Sequence, residues 1–182
     1  MKNLSFKKDL DLSFATEIAN DFLSKTRELF RMVEIAGSIR RKEKIVHDVD
    51  FAVVPGIENR EIWKKELGAR VAEIGGKVIS FGDLICNIRY MDVQLNLFIG
   101  IEEAWGVTLM WATGPKGHTI GMTLKAQKKG ILYNSTGVWT RDDPPKLLGA
   151  RTEEEVGELL DWEYKPPELR GKKGNDGGEL FY

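Results

Sequence analysis

Two carboxylates, Asp48 and Asp50, stand two residues apart in the apolar run Val46 to Val54. Residues two apart along a strand point to one face. The spacing therefore sets the carboxylates side by side while Val49 and Phe51 turn into a core. Adjacent like charges repel unless a cation lies between them. Mg²⁺, a hard ion held by one or two carboxylates together with substrate phosphates, suits such a pair. An Asp-x-Asp at a strand edge is also an ordinary solvated turn, so the pair alone does not decide the matter. Its upstream neighbours add weight. Gly37-Ser38 is a small turn whose backbone N–H groups suit phosphate oxygens when it opens a helix. Arg41, the second of the Arg40-Arg41 pair, adds charge-assisted bonds to the same phosphates.

These residues need elements to hold them. Helical spacing of Phe14, Ile18, Phe22, Leu29 and Met32 predicts a helix over 14–32 with Ser13 as N-cap. A short strand at 33–36 leads into the Gly-Ser turn. The Asp48/Asp50 strand ends at Pro55-Gly56. A second helix is expected over 59–74, with Ile62, Trp63, Leu67, Val71 and Ile74 on one face and Gly75-Gly76 stopping it. Strands are expected over 77–80, 84–90 and 92–99. This order predicts an α+β fold that carries its chemistry on strands. From Glu102 the pattern changes to two helices, 102–113 and 116–129, parted by Gly114-Pro115. A hairpin around Asn134 to Gly137 and a capped helix over 152–160 follow. The Gly/Lys/Asn/Asp-rich end from Arg170 reads as a loose tail.

Composition narrows the classes. The chain has 182 residues, enough to bury a core, and a formal net charge of −1. Its one cysteine, Cys86, permits no disulfide within the chain, and its two histidines, His47 and His118, fit no zinc pattern. No stretch approaches the length of a membrane span, and the N-terminus lacks an apolar leader core, so the expectation is a soluble, intracellular protein, cytoplasmic or viral. Charge is unevenly spread. Residues 104–141 contain no Asp or Glu but do contain Lys116, Lys125, Lys128, Lys129 and Arg141. Such a segment is either a solvated helix face or a surface for a phosphate backbone.

Taken in order, these segments resemble a known family. Gly37-Ser38-x-Arg40-Arg41 followed by Asp48-x-Asp50 resembles the nucleotidyltransferase superfamily, and more narrowly the family X DNA polymerases, the DNA polymerase beta-like group. Leu109-Met110-Trp111-Ala112-Thr113-Gly114 resembles the family's Tyr-Phe-Thr-Gly segment. Leu124 to Gly130 resembles the basic helix after it, and Thr152 to Glu155 with Leu160 to Pro167 resembles the C-terminal end. The resemblance spans about residues 30 to 170, and the chain resembles the small viral members, which keep only a palm and a C-terminal subdomain.

The resemblance implies a nucleotidyltransferase palm, a mixed β-sheet with helices, over 1–105. It implies a small α/β C-terminal subdomain over 106–172 that binds nucleotide and DNA, with a flexible tail over 173–182. It implies a monomer that uses no membrane and adds dNTPs to a primer 3′-OH on primer-template or gapped DNA, filling short gaps in DNA repair. Two Mg²⁺ ions, for which Mn²⁺ substitutes, would serve each site, one on the triphosphate and one activating the 3′-OH. Asp48 and Asp50 are the expected metal ligands. Gly37, Ser38, Arg41, Trp111, Ala112 and Gly114 are the expected nucleotide contacts. Lys116, His118, Lys125, Lys128 and Lys129 are the expected DNA contacts. The small Ala112 beside Trp111, where the family has two aromatics, implies weakened discrimination against ribonucleotides unless Trp111 is only a core residue.

The chain departs from the family at one catalytic position. By resemblance, the third carboxylate lies eighteen residues before Gly114, and residue 96 is Asn96. Asparagine offers one neutral oxygen and accepts no proton. Asp92, at about 3.3 Å per residue, lies roughly 13 Å along the strand and does not replace it. Impaired activity is therefore expected, from an introduced Asp→Asn change, which the otherwise intact motif favours, or from natural weakening or repurposing. Two other readings stay open: a template-independent nucleotidyltransferase, and a DNA-binding relic that uses Asp48 and Asp50 structurally.

Overall fold

The protein is described here by a computed structural model covering residues 9–171. A short strand β1 (Leu10–Asp11) leads into helix α1 (Leu12–Thr26), followed by a 3₁₀ turn (Arg27–Leu29) and strand β2 (Phe30–Ile35). Helix α1 thus ends six residues before the end expected from the sequence. Leu29 and Met32 satisfy a helical period, but the chain from Phe30 is extended and pairs with the next long strand. The N-cap is Asp11, whose Oδ1 accepts from the Phe14 N–H at 2.9 Å, rather than Ser13.

A one-turn helix α2 (Gly37–Arg40) and a short strand β3 (Ile45–Val46) come next, then strand β4 (Val49–Pro55) and helix α3 (Arg60–Glu73). Strands β5 (Lys77–Phe81), β6 (Ile85–Tyr90) and β7 (Val93–Ile99) complete a five-stranded sheet in the order β2-β4-β7-β6-β5. Its β4–β7 pair is parallel and its other pairs are antiparallel. The sheet is therefore mixed, as expected for the palm. Strands β1 and β3 pair separately.

Alternation along the strands separates the two faces of this sheet. Val49, Phe51 and Val53 share a buried cluster with Leu95, Leu97, Ile99, Cys86, Ile88 and the inward side chains of α1 and α3. Phe22 of α1 lies 5.5 Å, ring to ring, from Phe51 and 5.7 Å from Tyr90. Trp63 of α3 is fully buried, and its indole N–H donates to the Leu29 carbonyl at 2.8 Å. Ile62, expected beside Trp63 on the buried face, is half exposed because adjacent helical residues point about 100° apart.

The second part of the chain has its own core. Helices α4 (Trp105–Thr113), α5 (Lys116–Lys128) and α6 (Glu153–Leu160) surround a three-stranded sheet of β8 (Leu132–Asn134), β9 (Gly137–Trp139) and β10 (Leu147–Gly149). The sequence pointed to the β8–β9 hairpin but not to β10, which is three residues long and ends in a glycine at φ +89°. Val107, Met110, Met122, Tyr133, Val156 and Leu160 anchor this core. Helix α4 reaches back to the large sheet, where Ala112 packs against Ala36 and Ala52 beside the partly buried Phe98. At the other seam, a Cβ on Gly106 would lie 2.2 Å from the Thr152 carbonyl oxygen, so α4 meets the start of α6 at backbone distance.

Arg170, read from the sequence as the start of a loose tail, has 0% exposure. The expected tail at 173–182 lies outside the described residues. Among the described residues no helix is long and apolar enough to cross a membrane.

Candidate active site

The face of the large sheet opposite α1 and α3 carries the candidate residues Asp50 and Asn96. Asp50 lies on β4 between Val49 and Phe51, both fully buried, so its side chain points the other way. Across the ladder Asp50 is in register with Asn96 on β7, and Asn96 with Asn87 on β6. Asp48 lies in the bend just before β4, one residue outside the strand that the sequence reading gave it.

The Gly-Ser turn is coupled to Asp50 by close approach. Gly37 opens α2 at φ +55°, and a Cβ there would stand 2.1 Å from Asp50 Oδ2. A side chain at 37 is thus excluded twice, by backbone conformation and by the carboxylate. The Ala36 N–H donates to the Asp50 carbonyl at 2.8 Å, which fixes the turn to the strand. The first N–H groups of α2 lack partners within the helix, as at every helix start.

The two arginines have different jobs. Arg41 Nη2 donates to Ser38 Oγ at 3.2 Å, and its Nη1 donates to the Thr113 carbonyl at the end of α4. Its Nε lies 3.6 Å from Glu43 Oε1, an ion pair too long for a hydrogen bond, and is otherwise buried without a partner. Arg40 turns to Glu153 instead, with Nη1 to Oε1 at 2.8 Å and Nη2 to Oε2 at 2.9 Å, and Nη1 also meets Thr113 Oγ1 at 2.9 Å. Arg170 Nη1 donates to the same Glu153 Oε1 at 3.0 Å. Burial pushes the Glu153 carboxyl up, but the bonds from Arg40 and Arg170 outweigh it and hold the group below the usual carboxylate range. Sequence reasoning missed this Arg40–Glu153–Arg170 junction. Its one visible signal, a Glu beside the helix cap at Thr152, reads locally as helix capping.

At position 96 the structure supplies a direction. Gln94 Nε2 donates to Asn96 Oδ1 at 2.8 Å, and Asn96 Nδ2 donates to Asp50 Oδ1 at 2.8 Å. The amide therefore shows N–H, not oxygen, to Asp50. By donor type, the two carboxylates Asp48 and Asp50 supply ligands for at most one divalent cation. A second cation, which would need a third anionic oxygen, does not fit the residues present. Among the described residues no group of three or more His, Cys, Asp or Glu is placed to hold a metal ion. Asp92 is exposed at the β6–β7 turn, 3.9 Å from Arg89 Nε.

The remaining candidates separate by exposure. Lys116, Lys125 and Lys128 are exposed on α5, and Lys129 follows it, paired with Asp161 at 2.9 Å. His118, expected among the DNA contacts, is not on that surface. It is 1% exposed, its Nε2 accepts from the Trp162 indole at 3.1 Å, and burial foremost lowers it to about 4. The helix turns His118 inward while Lys116 and Lys125 face out. Trp111 is half-buried, 5.2 Å ring to ring from Tyr133, and Gly114 is buried at the end of α4 beside Arg41. Ala112, expected among the nucleotide contacts, is 5% exposed and fills the small-residue seam with Ala36 and Ala52. His47 lies in the bend between β3 and β4, its Nδ1 3.0 Å from Asp9 Oδ1.

Comparison with known proteins places this architecture. A family model described as "DNA polymerase beta thumb" matches residues 108–171. The chain is similar to the "Repair DNA polymerase X" of African swine fever virus. One isolate is 25% identical over 147 residues, and the Badajoz strain is 26% identical over 151 residues. Each alignment covers 78% of this chain and 83% of the relative. Among solved structures, a ternary complex of Leishmania infantum polymerase beta matches with a TM-score of 0.72 at 18% identity. That match covers 91% of this chain and 77% of the other. At that identity the likeness speaks for the fold.

Proposed function

We infer from this chain's membership of family X, the DNA polymerase beta-like polymerases, that it is a DNA-directed DNA polymerase of the minimal, palm-and-thumb kind. Its role is template-directed addition of dNTPs at a primer 3′-OH, filling short gaps in DNA repair. The observation that carries the reading is the approach of Gly37 to Asp50, which joins a phosphate-binding turn to a carboxylate on a rigid strand.

The residues divide the work. The Gly37-Ser38 backbone and the Arg41 guanidinium hold the triphosphate, Arg41 exchanging its bonds to Ser38 and the Thr113 carbonyl for phosphate oxygens. Asp48 and Asp50 would hold Mg²⁺, whose chemistry there is to neutralise triphosphate charge. Positioning the α-phosphate in line with the 3′-OH is the protein's main contribution to such a transfer. Lys116, Lys125 and Lys128 meet the DNA backbone, with Lys129 held partly by Asp161. Asn96 cannot accept a proton and cannot complete an anionic triad, so the chain binds its substrates better than it turns them over.

Template-swap extension of a gapped duplex tests the reading: product that follows the template sequence supports it. Additions that ignore the template support the second reading, a template-independent nucleotidyltransferase. The basic, acid-free surface of α5 favours the first.

A further inference from the structure

We propose that Gln94 is a positioning residue that holds the Asn96 amide with its N–H side toward Asp50, and that this pair sets the site at one divalent cation per bound nucleotide. The proposal rests on the polymerase reading above and deepens it.

The bonds have one direction. A carboxylate such as Asp50 only accepts, whereas a primary amide has a donating and an accepting end. The chain runs from Gln94 Nε2 to Asn96 Oδ1 and from Asn96 Nδ2 to Asp50 Oδ1, each step 2.8 Å. Reversing the Asn96 amide would break both bonds. It would set an amide oxygen against the carboxylate at Asp50 and, unless the exposed Gln94 amide turned with it, two N–H donors against each other at Gln94. Asn96 is only 7% exposed, so water does not readily repair the reversed amide on its Asp50 side, while Gln94 on the other side is exposed. Its neighbour in register on β6, Asn87, donates to Ser80 Oγ at 2.6 Å, and its side chain makes no hydrogen bond to that of Asn96.

The consequence falls on metal binding. A second cation beside Asp50 Oδ1 would meet the positively polarised N–H of Asn96, and the one oxygen of that amide is turned away toward Gln94. Asn96 therefore acts as a neutral stand-in for the second cation, steadying Asp50 without providing a ligand. Gln94 does not touch substrate in this account. It acts through Asn96.

The test counts Mn²⁺ by electron paramagnetic resonance in the full chain bound to gapped DNA and a dNTP analogue with a non-hydrolysable α,β-bridge. The chain as it stands should bind one Mn²⁺. Asn96→Asp should bind two. Gln94→Met, which removes the donor and adds no charge, should gain a second, weaker ion, with affinity at least tenfold above that of the unsubstituted chain. Gln94→Ser serves as a second donor-shortened variant should Met mispack. A merely structural Gln94 would alter thermal stability but not the ion count. Two ions in the unsubstituted chain, one ion in Asn96→Asp, or an unchanged count in both Gln94→Met and Gln94→Ser would overturn the proposal while leaving the polymerase reading intact. Failure to bind the nucleotide analogue at all would instead overturn that reading, and the proposal with it.

Discussion

Arg40 and Glu153, 113 residues apart in sequence, are joined by a two-pronged ion pair with bonds of 2.8 and 2.9 Å. The pair ties α2, which precedes β4, to the first residue of α6, and the buried Arg170 closes it from the other side. Bidentate geometry and low exposure place it among the strong pairs. Glu153→Ala leaves two guanidinium groups uncompensated, so the expected loss of stability is about 3–5 kcal/mol, read by urea unfolding. Glu153→Gln, which keeps one acceptor oxygen, should lose less.

The same junction shapes the acid response. Glu153 is held below 4.5 in the folded protein by its arginine partners, against the effect of burial. Its stabilising contribution is therefore present above 4.5 and is lost as pH falls through the lower, folded value. His118 acts in a different window. Its folded value of about 4 lies below the ordinary 6.5, so protonation favours the unfolded chain from pH 6.5 downward. Between pH 7 and pH 5 this group alone should remove about 2 kcal/mol of stability. His118→Phe should flatten that part of the unfolding profile and leave the loss below pH 4.5 in place.

Gly37→Ala tests the turn. Its Cβ would meet Asp50 Oδ2 at 2.1 Å from a backbone at φ +55°. The expected cost is about 1–3 kcal/mol of stability from the strained conformation. Nucleotide affinity measured by isothermal titration should fall more than tenfold, because Asp50 must move. Gly68→Ala, at a helical glycine with open space around it, is the control and should be near neutral or stabilising.

Charge removal on α5 should weaken DNA binding without changing base preference. Lys125→Ala and Lys128→Ala should each lower the slope of log affinity against log salt by about one. Lys129→Ala should do less, since Lys129 is already paired with Asp161. His118→Phe should leave the slope unchanged.

Much of the fold and site is legible in the sequence, for physical reasons. Val49, Phe51 and Val53 alternate with Asp50 and Ala52, so β4 and its chemical face follow from period two. Gly37 stands out because a Gly-Ser turn ahead of a carboxylate strand exposes backbone N–H groups that phosphate oxygens fit. The expected α1 runs too long because Leu29 and Met32 fit both the helical and the strand period, and only pairing with β4 decides between them. Arg40, Glu153 and Arg170 are opaque in the sequence on different grounds. Their bonds span up to 113 residues, and a fully buried arginine inside a polar, glycine-flanked segment looks like surface until its carboxylate is located. The Gln94–Asn96–Asp50 chain is half visible: Gln94 and Asn96 share a strand face by spacing, but the amide's direction exists only in three dimensions.

The central claim is that this is a templated polymerase site restrained by Asn96. Its most direct test is single-turnover extension of a gapped duplex with the templated dNTP and Mg²⁺, run on the chain as it stands and on Asn96→Asp. Slow templated addition is expected from the first and an increase of about two orders of magnitude or more in the second, with nucleotide affinity little changed. Equal rates in the two forms would contradict it.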